Sequence, residues 1–200
     1  MINRYASVAA PVGGLLLGVL DFVWIKFVPY PFAELGNSVA VWAVAGFLFT
    51  FWGRWGWARG VSAAVVLLVI AVPSYYLAAM VIQNDDVSNL YNATALLWMG
   101  FAVVAGIVFG GAGIAARVPA RWQAAALALP AAVLFAEAAL LSRRIGDESY
   151  GIDPLWSVLI NVALGVLITV LIAGSQRLRA LLWAVPLGLA GFALLSLALT

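Results

Sequence analysis

Asp21 and Glu137 are the two carboxylates that interrupt apolar runs, in "LLLGVLDFVW" from Leu15 to Trp24 and "LFAEAALL" from Leu134 to Leu141. A charged side chain at the centre of a bilayer costs about 3 kcal/mol on insertion scales, so an acid in such a run is a functional candidate. Gly14, Gly18 and Asp21 share one helical face at i, i+4, i+7, and small residues at that spacing pack against a neighbouring helix. That face turns Asp21 into protein. Glu137 has no polar neighbour at helical spacing; a carboxyl so desolvated favours its neutral form and is a proton donor. The competing account pairs both acids with Lys26, Arg143 or Arg144 to close a helix bundle. The spacing leaves both accounts open.

Around the two acids stands a supply of aromatics: nine Trp, ten Phe and six Tyr. "FWGRWGWARG" from Phe51 to Gly60 reads as an interfacial anchor. Trp24, Trp42, Tyr75, Tyr76, Tyr91, Trp98 and Trp156 fit a belt less well and fall on the same side as the acids. An aromatic-walled pocket stabilises a cation through the ring quadrupoles. Asn37 and Asn161 are candidates to hold the acids or a ligand, or to cross-link helices as amides do in membranes. These nine residues are the expected substrate contacts and Asp21 and Glu137 the expected catalytic acids.

The elements that position these residues follow from hydropathy. The 200 residues are 66% hydrophobic and 9% charged, with mean hydropathy +1.11; a soluble domain carries about 25% charge. An all-α integral membrane protein is expected, a single transmembrane domain over residues 1–200. Apolar runs give seven spans at about 6–28, 37–53, 60–82, 91–116, 122–142, 154–174 and 179–198, the second the shortest. The N-terminal run continues into Asp21 without a signal-peptide cleavage site and reads as a retained first helix. Arg4, Arg54, Arg59, Arg117, Arg121, Arg177 and Arg179 fall on one side, against Lys26, Arg143 and Arg144 on the other. The positive-inside rule then puts the N-terminus in the cytoplasm and the C-terminus outside. The stretches after Asp21 and after Glu137, "LGNSVAVWAVAGF" and "LWSVLINVALGVL", overlay weakly, as a 3+1+3 parallel repeat would require.

Composition also excludes. With no Cys and no His, disulfides, thiol catalysis and the usual zinc sites are gone, and neither a metal nor another cofactor is expected. The arginines are scattered singly, so nucleic acid is not an expected partner. "QNDDVSNLYN" from Gln83 to Asn92 lacks the further acid of a magnesium-diphosphate motif. "NAT" at Asn92 is a glycosylation triplet only in a eukaryote, and the Ala/Val/Leu/Arg/Trp-rich composition points to a bacterial cell membrane.

"GLLLGVLDFVWIKFVP" followed by "LGNSVAVWAVAGFLFTFWG" resembles small multi-pass membrane proteins of actinobacteria that are largely uncharacterised. In plan, the chain resembles the integral membrane terpene cyclases of meroterpenoid pathways, including drimane-forming ones. That resemblance implies metal-free cyclisation of a lipophilic prenylated substrate of farnesyl type, with Asp21 and Glu137 protonating an alkene or epoxide and aromatics guiding the carbocation. The fungal enzymes' Trp-Glu pair is absent, Trp42-Ala43 standing at that place. The plan is also similar to that of small sugar carriers and of substrate-capturing subunits of vitamin importers, an alternative in which an outward pocket binds a small molecule. A closed aromatic cavity with an acid favours cyclisation; a polar cavity reaching both faces favours transport.

Overall fold

A computed structural model describes residues 5–198, with the side chains of 37, 195, 197 and 198 outside that description. Seven helices run in chain order: α1 (Ala6–Phe27), α2 (Val39–Gly53), α3 (Trp57–Gln83), α4 (Ala93–Ala115), α5 (Gln123–Ser142), α6 (Asp153–Ile172) and α7 (Arg177–Ala198). Every boundary lies within three residues of the hydropathy expectation.

The stops and starts have local causes. Val28 precedes Pro29 and turns extended, as a residue before proline must. Arg54 and Asn84 end α2 and α3 in the left-handed conformation that closes helices. Asn92 caps α4 through Oδ1, which accepts from Ala95 N at 2.9 Å. Asp153-Pro154 opens α6, with an acid in the first turn and a proline where a missing N–H costs nothing. Two loop acids are turn formers. Asp86 Oδ1 accepts from Ser88 N at 2.7 Å and Asp147 Oδ1 from Ser149 N at 2.9 Å, and these hydrogen bonds hold both carboxyls below the usual aspartate range.

Six of the helices are long and apolar enough to cross a membrane; α2, with 15 residues, is not. At 1.5 Å per residue α2 spans about 22 Å, short of the roughly 30 Å hydrocarbon core. The seven-span expectation is therefore corrected to six long helices and one short one. Residues 32–37, which include the expected start of the second span, form a 3-10 turn instead.

Packing divides the bundle. α1 lies against α3, α5 against α7 and α6, and α4 against both α3 and α2. The α1–α3 seam is so close that a Cβ on Gly14 would strike the Leu67 carbonyl and one on Gly18 the Ala71 carbonyl. Arg54, Arg59, Arg117, Arg121, Arg177 and Arg179 flank one end of the bundle; the acids from Glu34 to Asp153 stand at or toward the other.

Candidate functional site

A cavity of about 360 Å³ opens at the acidic end between α1, α2, α3 and α4. It runs from Gln83 and Asp85 down to Leu68 and Ala105, half-way along α3 and α4. Asp21 lines it, 8% exposed, and the Trp42 indole is the side-chain hydrogen-bond partner of its carboxyl. Tryptophan has only its Nε1–H to offer, so the indole donates. Tyr75 stands close enough to Asp21 to feel its charge and meets Phe22 edge-on at 5.3 Å and Tyr76 at 5.5 Å. Trp98, edge-on to Phe101 at 5.7 Å, completes an aromatic wall. The Gly14/Gly18 seam sets Asp21 in place: α1 and α3 approach at backbone distance and carry Asp21 and Tyr75 into one wall.

Five of the residues singled out from sequence thus meet around one space: Asp21, Trp42, Tyr75, Tyr76 and Trp98. The others stand elsewhere. Trp24 is exposed, and its Nε1 donates to Phe32 O at 2.8 Å, fixing the connector after α1. Tyr91, 64% exposed, and Trp156, 47% exposed, lie outside the cavity. Asn161 is buried in α6; its Nδ2 donates to Ser157 O at 2.9 Å, while Oδ1 has no partner among the described residues. The side chain of Asn37 lies outside the described part of the chain.

Glu137 is not among the residues that line the cavity. Its Oε2 accepts from Ala40 N at 2.8 Å, and Ser38 is its side-chain hydrogen-bond partner. Ser38 Oγ in turn accepts from Val41 N at 3.1 Å. The first turn of α2 is thus capped twice, once by its own N-cap serine and once by an acid from α5. A helix that begins at membrane depth has orphan N–H groups and no water to satisfy them. Glu137 answers that need.

The three cations proposed as partners for the acids are engaged elsewhere. Lys26 Nζ donates to Gln83 Oε1 at 3.4 Å, Arg143 lies over the Phe192 ring and donates to Ser196 Oγ at 3.0 Å, and Arg144 lies over the Tyr150 ring. Lys26 and Gln83, with Gln83 Nε2 donating to Asp85 Oδ2 at 3.1 Å, form a polar chain at the cavity mouth. Sequence reasoning missed Gln83, Asp85 and Phe101 as lining residues. Phe101 carried a signal, standing one helical turn from Trp98.

Toward the basic end α2 and α4 pack closely. Phe47 and Thr50 are fully buried, and Thr50 Oγ1 donates to Gly110 O at 2.8 Å, tying α2 to α4. A Cβ on Gly113 would strike the Phe47 carbonyl.

No curated protein and no solved structure matches the chain. A family model, described as a family of unknown function (DUF6518), matches residues 3–200. The seven-helix chain, with its acid in an aromatic cavity, belongs to that family.

Proposed function

We propose that the protein is a membrane-embedded enzyme that isomerises a lipophilic, prenyl-type substrate by proton transfer from Asp21. One observation carries the reading: Asp21 is a buried carboxyl on the wall of a cavity otherwise rich in Phe, Trp and Tyr. Asp21 gives its proton to an alkene of the chain, forming a C–H bond and a tertiary cation. A second alkene of the chain attacks that cation and a ring C–C bond forms. Loss of a proton from the adjacent carbon back to the Asp21 carboxylate makes a new alkene, so the product is an isomer of the substrate. The rings of Phe22, Trp42, Tyr75, Tyr76, Trp98 and Phe101 lower the energy of the cation. A single acid serves both steps, because the Glu137 carboxylate is occupied at the start of α2.

The same reading takes the basic end as cytoplasmic and the cavity as opening outward across a bacterial cell membrane. It takes α1–α3 and α5–α7 as two like units joined by α4, in support of which the first and third helices of each triplet pack closely on each other. A second reading, capture of a cationic amphiphile for transport, is favoured by Asp85 and Gln83 at the mouth.

The test is conversion by membranes containing the protein. A farnesylated phenol, incubated in the presence of EDTA, is expected to give a cyclic product of unchanged mass. Tight binding of a farnesyl amine without any product would replace catalysis by capture.

A further inference from the structure

Asp21 also faces a second space. Behind the aromatic cavity lies a cleft of about 340 Å³ whose walls are α1, α2, α5, α6 and the 3-10 turn of Phe32–Asn37. Because α1 packs on α3 and α6 on α5, these two helices leave a gap between them. Leu134 and Val44, both buried, form its floor; Leu17, Leu20, Leu164 and Ile168 form its sides. Asp21 is the one ionisable group among the lining residues, and the Trp24 N–H at the rim is already spent on Phe32 O. Asp21 and Gly36 line both spaces.

We infer that this cleft holds the far end of the hydrocarbon chain of a single-chain amphiphile whose head and nearest alkenes lie in the aromatic cavity, Asp21 standing at the junction. The chemistry of the walls sets the occupant. A cleft of Leu, Val and Ile has nothing to offer a polar molecule, and its rim residue Leu20 is exposed on the helix surface that faces lipid. At about 340 Å³ the space is on the scale of one hydrocarbon chain. The polar half of the same molecule meets Asp21, Gln83 and Asp85. Entry is sideways, from the membrane between α1 and α6. The inference rests on the reading of the aromatic cavity as the working site and names its ligand class.

The experiment uses the full-length protein in nanodiscs and a dodecylamine carrying a diazirine at its tail end. Photolysis followed by peptide mass spectrometry is expected to label α5 and α6 at Leu134, Leu164 or Ile168. Leu164→Trp, which fills the cleft from a partly exposed position, is expected to lower that labelling about tenfold while leaving the elution volume and melting temperature unchanged. Ile168→Phe serves as a second filling variant should Leu164→Trp not fold. Labelling spread evenly over the lipid-facing sides of all helices, or unaltered by both filling variants, overturns the inference. Cleft labelling with no isomerised product from the farnesylated phenol leaves the inference standing and overturns the catalytic reading instead.

Discussion

Glu137 Oε2 and Ala40 N lie 2.8 Å apart and join the outer part of α5 to the first turn of α2. An acid that sequence singles out as a catalyst thus also caps a helix other than its own, and its partner is a backbone group 97 residues away. A short helix starting inside a membrane needs such a cap, because lipid offers no hydrogen bond.

Glu137→Leu is therefore expected to leave Ala40 N–H buried without a partner, at a cost of about 1–3 kcal/mol. Glu137→Gln keeps an acceptor oxygen and is expected to lose less than half of that. Thermal unfolding of both variants in one detergent checks the order; equal stabilities would show that the contact contributes nothing.

Gly18→Val tests the α1–α3 seam. Its side chain meets backbone at Ala71 and Tyr75 rather than a flexible tip, so α1 must move. The expected loss is about 3 kcal/mol, the upper end for overpacking. A variant of wild-type stability would contradict the seam.

Thr50→Val removes the hydroxyl that donates from α2 to Gly110 O of α4. About 1 kcal/mol of stability is expected to go, the net contribution of one hydrogen bond. Product formation per folded protein is expected to stay, since Thr50 lies below the cavity. A large loss of activity at unchanged stability would place the working site at the basic end.

The helices were legible because apolar runs bounded by charges and prolines are a strong signal, and each of the seven was found to within three residues. The shortness of α2 was half visible: its run was the briefest, and Ser38, a residue type that caps helices, stands just before the start at Val39. At the site, Asp21 was legible through Gly14 and Gly18, whose spacing announces a close helix contact. Trp24, one turn from Asp21 along α1, lines the neighbouring cleft and not the aromatic cavity, because its indole reaches back to Phe32. The task of Glu137 was hidden for a deeper reason. Its partners are a backbone N–H and the cap serine of another helix, and backbone donors leave no mark in a sequence. Gln83 and Asp85 read as loop polarity and became cavity residues only because α3 ends beside α1 and α4.

Orientation can be read with single cysteines, since the chain has none of its own. A membrane-impermeant maleimide applied to intact cells is expected to label Ser149→Cys, at the acidic end. Ser175→Cys, at the basic end, is expected to react only after permeabilisation. The reverse pattern would turn the cavity toward the cytoplasm.

The central claim is that Asp21, and not Glu137, is the reacting acid, and the most direct measurement compares Asp21→Asn with Glu137→Gln for conversion of a farnesylated phenol by equal amounts of folded protein. Asp21→Asn is expected to lose product by at least about a hundredfold, the scale of one general acid, while Glu137→Gln stays within about threefold of the parent, equivalent to less than 1 kcal/mol. An active Asp21→Asn beside an inactive, folded Glu137→Gln would contradict the account.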